Sequence, residues 1–326
     1  MRFILWMVAA IAVLYSGYWY SASRTLQGEA TASLAELQAA GLANVGTVSV
    51  SGFPSRFDVT VDAPEFSSAD GQLGWAADQA NIHALSYQPN HVITIFPETQ
   101  TLRIGSERIT LRSPDLRASA VFGLSSDLPL DRATLAGSDL GAESSAGWMA
   151  ELATLRAAIR QGASPEAPEI GIEMADVSVQ GPLAELLLRA GLPARAEHAR
   201  LDAIIGLNRP IDRNTPLSGI EPRSADIRSV ELDWNGVEIR GRGALTVLGS
   251  GQLDGRIDLD IRQWQRLFGL IRETGAVQPN MENGLRQMLT LMAAGSGDPD
   301  ILRLPLIFAA GRMSLGPVPL GPAPRF

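Results

Sequence analysis

Three histidines and a group of aspartates are the residues in this chain whose types best suit chemistry. His83 and His91 lie eight positions apart, and His198 follows Glu197 far downstream. None of them stands in an H-E-x-x-H motif or another spacing typical of a metal site. The chain also lacks cysteine and a G-x-S-x-G turn, which removes the usual thiol and serine nucleophiles. We therefore expect surface or hydrogen-bonded histidines, no metal, and a protein that is not an enzyme.

The aspartates are the best candidates for binding a cation. Asp254, Asp258 and Asp260 would share one face of a strand and could supply the carboxylates of a Ca²⁺ site. Arg256 and Arg262 fall on the same face, however. Opposite charges that share a face favour exposed salt bridges, so we expect a ladder of ion pairs here.

Two glycine-rich tripeptides superficially resemble phosphate-binding loops. Gly241-Arg242-Gly243 falls within a predicted strand, and Gly249-Ser250-Gly251 joins two predicted strands. Neither opens a helix, whose N-terminal amides are what bind phosphate. We therefore predict turns or bulges at both places and no cofactor.

Composition limits the class of protein and its partners. The chain has 326 residues, a net charge of -8, and 45% hydrophobic residues, enough for a sizeable core. Its 27 basic residues are all arginine and are spread along the whole length. The chain thus lacks the basic surface that binding to a phosphate backbone requires, and we predict no nucleic-acid partner.

The first twenty residues predict a membrane helix. The run Phe3–Tyr20 contains no charge and no proline, and Arg2 precedes it. Its length is close to the roughly 20 residues that a helix needs to cross the bilayer, and Arg2 favours a cytoplasmic N-terminal end. Aromatic residues with polar tips cluster at its other end, where they suit the membrane interface: Tyr15, Tyr18, Trp19 and Tyr20. We assign residues 1–23 to a single-pass transmembrane anchor.

A cleaved signal peptide is the alternative for the same segment. Ser21, Ala22 and Ser23 are small enough for a cleavage site. Against cleavage, the apolar run is longer than the usual hydrophobic region, and bulky aromatic residues stand just before any cut. Both interpretations export the rest of the chain.

The exported part begins with a helix and continues with strands. Helical spacing of apolar residues over 24–42 predicts a linker helix leading away from the membrane. Alternation of apolar and polar residues then predicts strands, beginning with Phe57, Val59 and Val61. The stretch Ser229–Arg262 predicts a three-stranded antiparallel meander, with a tight hairpin at Asn235-Gly236.

The chain is predicted to be mainly β (α+β), with an N-terminal transmembrane helix followed by curved, two-faced antiparallel sheets and a few short helices. We place an N-terminal β-rich lobe at 43–162 and a C-terminal one at 170–326. The linker candidate between them is Gly162–Pro168. Further elements are a strand pair near Leu302–Leu315 and helices at Gly147–Gln161, Leu183–Ala190, Trp264–Thr274 and Met281–Ala294. The helix that begins at Trp264 could lie on a membrane surface, but its spacing favours core packing.

Several motifs resemble those of the DUF2125 family of exported bacterial proteins. They are Gly52-Phe53-Pro54-Ser55-Arg56-Phe57-Asp58-Val59, then Trp75, Gln88-Pro89-Asn90-His91-Val92, and the C-terminal stretch Gly311–Pro322. Most of the exported chain is covered by this resemblance. These motifs consist of glycines, prolines and aromatic residues that mark the ends of strands. The resemblance brings no catalytic residues with it. A bacterial inner-membrane protein with a periplasmic C-terminal part is what this resemblance and the N-terminal helix together imply.

An anchor followed by two-faced meanders is also similar, more loosely, to AsmA-like envelope proteins. Their long curved sheet has an apolar inner face that can hold acyl chains. A role in envelope lipid homeostasis is what this similarity implies. This chain is much shorter than a protein that bridges two membranes.

Three functions are compatible with the sequence. The first is a membrane-tethered module whose sheet binds a lipid or another apolar ligand; the second is a structural or protein-interaction module of the envelope; the third is an enzyme with an unrecognised site. For the first, we predict a common apolar groove lined by Phe57, Val59, Val61, Val237, Ile239, Leu245, Ile257 and Leu259. The first two differ in whether the apolar face is open or covered, which alternation alone does not decide.

Overall fold

The fold was analysed in a computed structural model of the chain. The structure describes residues 2–325 except 216–218, 276, 279 and 296, with only the helical backbone for 2–5 and 8. In this part of the chain, the protein consists of one long helix, one large antiparallel sheet and three shorter helices.

The helices agree with the sequence in position, with two differences: two predicted segments at the N-terminus form one helix, and the helix predicted at Gly147–Gln161 is a strand. They are α1 Arg2–Ala39, α2 Pro182–Arg189, α3 Trp264–Glu273 and α4 Glu282–Gly295. The predicted anchor (1–23) and most of the predicted linker helix (24–42) form one unbroken helix, Arg2–Ala39, which contains no proline. In α3, Trp264 and Phe268 are buried, which confirms core packing over a membrane-surface helix.

The strands fall into two groups along the chain. The first ten are short: β1 Ala43–Asn44, β2 Val48–Ser51, β3 Arg56–Asp62, β4 Glu65–Ser67, β5 Leu73–Ala77, β6 Gln79–Leu85, β7 Gln88–Ile95, β8 Thr99–Ile104, β9 Glu107–Arg112 and β10 Asp115–Phe122. Most of the later ones are longer: β11 Leu130–Ser144, β12 Met149–Arg160, β13 Glu169–Gln180, β14 Arg195–Leu207, β15 Pro222–Trp234, β16 Val237–Val247, β17 Leu253–Arg262, β18 Ile301–Ala309, β19 Arg312–Leu315 and β20 Val318–Pro322.

The helix predicted at Gly147–Gln161 is wrong, because this segment contains strand β12. Its alanine-rich composition favours a helix on local propensity alone. Along its full length, however, β12 pairs antiparallel with β11 on one side and with β13 on the other. Two full hydrogen-bond ladders outweigh a propensity difference of tenths of a kcal/mol per residue.

The sheet forks at the long strand β11. Residues Leu130–Ser138 of β11 pair with β10, which leads through β7, β6 and β3 to β2. Residues Gly141–Ser144 pair with β9, which leads through β8, β5 and β4 to β1. Between the two segments, Asp139 has a positive φ of 50° and no ladder partner. On its other edge, β11 continues as a meander from β12 to β20.

The predicted meander at Ser229–Arg262 is confirmed as strands β15, β16 and β17. The Asn235-Gly236 turn has φ values of 46° and 85°, as a tight hairpin with two positive φ angles requires. Gly162–Pro168 lies in the turn between β12 and β13, which pair antiparallel with each other from Arg160 and Glu169 onward. One continuous sheet therefore spans both predicted lobes.

Register puts the apolar side chains of the meander on one face, here called the apolar face, and most of the charges on the other, the charged face. Leu232, Ile239, Ile261 and Leu302 lie opposite one another on four successive strands. Their chain neighbours Glu231, Arg240, Asp260 and Arg303 form the matching row on the charged face. The sheet is therefore two-faced, as the alternation predicts.

A charge placed on the apolar face should unfold the protein more readily than the loss of a charge from the other face. Ile257→Asp puts a carboxylate at a buried position of β17, and we expect the free energy of unfolding to fall by about 3 kcal/mol or more. Asp258→Ala is the matched control, because that side chain is 57% exposed and we expect a change within about 1 kcal/mol. Urea denaturation measures both. Equal effects would show that the register is wrong.

Candidate functional site

The middle of the apolar face is a floor of uncharged side chains on β11–β15. Three rows cross these strands in register. They are Gly137, Leu155, Met174, Ala199 and Leu232; Leu135, Ala157, Ile172, Leu201 and Val230; and Ala133, Ile159, Ile170, Ala203 and Ile227. All are half-buried except Ala203, which is buried. We call these fifteen positions the floor.

The N-terminal end of the apolar face is covered by α1. Leu26 and Leu34 of this helix pack against a cluster that contains Val59, Val61 and Ala80. Ladder pairing places Val59 in line with Leu135 of the floor, through Ile82, Thr94 and Ala118. The helix therefore forms an end wall of the apolar face.

The C-terminal end is covered by α3, α4 and the last strands. Trp264, Phe268 and Leu289 pack on Ile261 and Leu302 in one buried cluster. Ala323, which follows β20, packs against Leu253 and Ile257 of β17. The isolated bridge between Gln252 and Arg325 shows that the chain after β20 runs back to the start of β17. We call the stretch of the apolar face between the two covered ends the groove, with the floor at its base.

One long side of the groove is flanked by α2. Leu187 and Leu192 are buried against Val237 of β16 and also contact Val179 of β13. Asp176, between Val179 and the floor, has a positive φ of 54° and no ladder partner. The sheet is thus irregular along a line through Asp139 and Asp176, and α2 packs just beyond that line.

All eight residues predicted to line the groove lie on the apolar face, but at its covered ends. Val59 and Val61 pack beneath α1, and Phe57 stacks on Trp19 with 5.8 Å between ring centroids. Val237 packs beneath α2, with Ile239 at its border. Ile257 is buried near Phe308, with Leu245 and Leu259 half-buried around it. The open floor between the ends is made by residues that sequence reasoning did not select.

The signal for the floor is present in the sequence. Apolar and polar residues alternate at Ile170–Val179, which is typical of the strand found there, yet nothing in one strand says which partners lie beside it. The β12 positions were hidden by the wrong helix prediction. Leu155, Ala157 and Ile159 alternate with Arg156, Ala158 and Arg160, and this period of two was the available signal.

The charged face is held by ion pairs that cross strands. Glu169 of β13 accepts hydrogen bonds from Arg228 Nη2 at 2.9 Å and from Arg160 Nε at 2.7 Å. These two guanidinium groups, Arg228 first, hold the pKa of the Glu169 carboxyl below its usual value. On β17, Asp258 pairs with Arg256, and Asp260 pairs with Arg303 of β18. The salt-bridge ladder predicted for this strand is confirmed.

The histidines lie in separate places and bond to neighbouring side chains. His83 Nδ1 is 2.7 Å from Asp58 Oδ1, and His91 Nε2 is 2.9 Å from Ser119 Oγ. His198 Nε2 is 3.3 Å from Glu173 Oε1. Among the described residues, no cluster of three or more His, Asp or Glu side chains is positioned to hold a metal ion.

A polar cavity of about 550 Å³ lies near the fork, with Arg112, Asp139, Glu151, Asp176 and Arg195 among its lining residues. Arg195 Nη2 bonds to Asp176 Oδ1 at 2.7 Å, and Arg112 Nη1 bonds to Glu143 Oε2 at 3.1 Å. Both guanidinium groups are therefore already paired within the protein.

Three of the four aromatic residues assigned to the membrane interface lie where α1 meets two turns of the sheet. Tyr15 and Tyr18 donate hydrogen bonds to the carbonyl oxygens of Pro54 and Ser86, at 2.9 and 3.1 Å. Trp19 Nε1 donates to the carbonyl oxygen of Arg56 at 2.9 Å. Tyr20 points elsewhere: it is exposed, with the guanidinium of Arg24 over its ring.

The N-terminal half of α1 is only partly described. The predicted span Phe3–Tyr20 begins among side chains that lie outside the described set. Within the described residues, no helix combines the length and the apolar character required to cross a membrane.

The fold and site define a class: a mainly β protein whose single two-faced antiparallel sheet has an apolar face covered by packed helices at both ends. The chain belongs to the family described as "Uncharacterized protein conserved in bacteria (DUF2125)", which matches residues 19–324. The resemblance seen in the sequence motifs is therefore confirmed over nearly the whole chain. No curated protein and no solved structure matches it. The looser similarity to AsmA-like proteins is not shown by these comparisons.

Glu169 should make the stability of the protein depend on pH. Its pKa is lowered in the folded state, so its contribution is complete above the unfolded value, about 4.5, and is lost as pH falls through the lower folded value. Between about pH 5 and pH 3 we therefore expect the melting temperature of the wild type to fall more steeply than that of Glu169→Gln. The exposed Glu151→Gln is the control and should follow the wild type. Parallel curves for wild type and Glu169→Gln would contradict the role of this carboxylate.

Proposed function

We propose that this protein is a membrane-anchored, periplasmic, non-enzymatic module that binds a lipid or another apolar ligand on the floor of the groove. The observation that carries the proposal is the floor itself. Fifteen uncharged positions on five adjacent strands share one face, while the described helices pack at the ends and one side of that face.

Burial of the uncovered apolar surface of the floor would provide the free energy for binding an apolar ligand. Apolar surface exposed to water costs about 25 cal/mol per Å², so an acyl chain laid over the floor would remove that cost from the protein and from the lipid. Both ends of the apolar face have a cover, as the packing of α1 and of α3 shows. The floor lacks an equivalent cluster of buried side chains among the described residues.

The dimensions of the floor suit one acyl chain. Five strands have four spacings of roughly 4.8 Å, which gives a floor about 19 Å long. One leaflet of a bilayer has a hydrocarbon layer about 15 Å thick, half of the total. A lipid chain extended across the strands would thus fit between the two covered ends, and the uncharged floor favours hydrocarbon over a headgroup.

The N-terminal helix supports an uncleaved anchor over a cleaved signal peptide. The helix runs without a break through Ser21, Ala22 and Ser23, and Ser23 is buried. Upstream of these residues, Tyr15, Tyr18 and Trp19 are bonded to the sheet, so cleavage would remove side chains that complete the fold. With the uncharged run Phe3–Tyr20, these contacts support a single-pass inner-membrane protein.

The similarity to AsmA-like proteins that we inferred from the sequence, and that the comparisons do not show, would imply the same function. Those proteins hold acyl chains on the apolar inner face of a long curved sheet. The corresponding role for this protein is envelope lipid homeostasis at one membrane.

A protein-interaction module of the envelope is the second candidate, and α4 favours it. This helix buries Leu289 and Ala293 against the sheet, yet Met288, Leu291 and Met292 are exposed on it. A helix that is apolar on two sides is typical of a surface that meets another protein.

A bulky residue on the floor should block ligand binding and leave the fold intact. Leu201→Trp places an indole on the half-buried middle row of β14, where it would occupy the path of an acyl chain. We expect the dissociation constant for a fluorescent fatty acid to rise at least tenfold, or about 1.4 kcal/mol. Val59 is not a suitable site for this test, because a tryptophan there would displace α1.

Arg200→Trp is the matched control for this experiment. It is the neighbouring residue on β14, but it is exposed on the charged face, so binding should be unchanged. Thermal denaturation should show that both variants keep the wild-type melting temperature to within a few degrees. If the wild type does not bind fatty acid, or if both variants bind equally, the interaction module takes the place of lipid binding.

Fusions to the C-terminus should report a periplasmic location. Alkaline phosphatase fused after residue 326 should be active in bacteria, and green fluorescent protein at the same position should be dark, because Arg2 retains the N-terminal end in the cytoplasm. The intact mass of the purified protein should include residues 1–24. The reverse fusion pattern would contradict the topology, and a mass that begins near residue 24 would establish cleavage.

A further inference from the structure

We propose that three turns beside α1 form a docking surface that rests in the headgroup layer of the membrane, so that the sheet is seated on the bilayer and does not hang from a free tether. The turns join β2 to β3, β6 to β7 and β10 to β11, and the surface, here called the docking edge, carries Phe53, Tyr87 and Leu124. This inference rests on the proposed membrane anchor and adds a second contact with the same membrane.

The three turns lie side by side. Strands β3, β6, β7 and β10 are successive neighbours in the sheet, and the turns all lie at the same end of these strands. Asn90 Nδ2 donates a hydrogen bond to the carbonyl oxygen of Phe122 at 2.9 Å, which ties the second turn to the third. The turns span six adjacent strands, so with strands about 4.8 Å apart the docking edge is about 24 Å wide.

Large apolar side chains extend from this edge into solvent. Phe53 is 56% exposed, Tyr87 is 70% exposed and Leu124 is 86% exposed. The turns at 52–55 and 86–87 include no charged side chain, and the turn at 123–129 includes one, Asp127, whose Oδ1 accepts a hydrogen bond from Asn214 Nδ2 at 3.2 Å. Exposed aromatic and aliphatic tips with few charges are the composition that partitions into the interfacial layer of a bilayer.

The position of α1 leaves no spacer between the sheet and the membrane. Tyr15 is bonded to the turn carbonyl of Pro54 and lies about 20 Å along the helix from Arg2, at 1.5 Å per residue. The hydrocarbon layer is about 30 Å thick. Because the helix from Arg2 to Tyr15 is about 10 Å shorter than this layer, a helix that crosses it draws the turns attached to Tyr15 onto the membrane surface.

Several backbone carbonyl groups of these turns accept hydrogen bonds from within the protein, as a position with little water requires. Unpaired backbone carbonyls are costly there, because the lipid offers no donors. The carbonyl oxygens of Pro54, Arg56 and Ser86 each accept a hydrogen bond from an aromatic side chain of α1. Ser86 Oγ is 2.8 Å from Tyr15 Oη, and the Ser86 amide donates to the carbonyl oxygen of Ser55 at 2.9 Å.

Site-specific fluorescence on the full-length chain tests the docking edge. The chain has no cysteine, so a nitrobenzoxadiazole label attached to Tyr87→Cys or Leu124→Cys reports one position only. In phosphatidylcholine–phosphatidylglycerol vesicles, we expect emission at shorter wavelength than in detergent-free buffer and loss of fluorescence when lipids carry a doxyl quencher near the headgroup. The control is Leu73→Cys, an equally apolar site that is 56% exposed. It lies beyond the other end of α1, about 30 Å from Trp19 along the helix.

A label at Ala10→Cys, on the predicted span, separates this inference from the anchor when it is read with lipids whose doxyl group lies near the end of the acyl chain, because Ala10 is about 12 Å along the helix from Arg2. Quenching at 10, 87 and 124 without quenching at 73 supports the docking edge. Quenching at 10 alone overturns the docking edge and leaves the anchor standing. No quenching at 10 overturns the anchor and the docking edge with it. Equal quenching at 73 and at 87 or 124 overturns a contact confined to this edge.

Discussion

Side chains alternate between the two faces of a strand, so the single apolar face of this protein exists only while every strand keeps its register. The row that contains Val59 at one end and Leu304 at the other crosses the sheet through successive ladders with hardly a polar residue. A slip of one residue in any strand would put its charges onto this face. The ion pairs on the opposite face, such as Glu169 with Arg228, hold the strands at the correct offset.

Helix α1 combines two tasks that most anchored proteins divide between separate segments. Its second half is part of the core, since Leu26 and Leu34 cover Val59 and Val61. Its first half is the proposed anchor, and between the two halves Trp19 packs on Phe53 and Phe57. Because one rigid helix does both, the orientation of the sheet relative to the helix axis is fixed by side-chain packing, and the strands next to α1 have no freedom to swing away from it.

Much of the fold follows from the sequence because its signals are local. The hairpin at Asn235-Gly236, the helix at Trp264 and the two faces of β17 depend on neighbouring residues and were predicted correctly. Strand β12 failed because its alanines favour a helix until two partner strands are present. The floor could not be predicted as a site, because covered and uncovered strands have the same alternation. Only the packing of α1 and α3 distinguishes them.

The number of strands in the meander from β11 onward sets the length of the floor. Each strand contributes one residue to every row, so a further hairpin would lengthen the floor by two strand spacings, roughly 10 Å, without altering either covered end. The hydrogen-bond ladder would simply continue, as it does between β12 and β13. Under the proposed function, selection for longer or shorter ligands would act through the gain or loss of whole hairpins, because the number of strands between the two end walls sets the length of chain that fits on the floor.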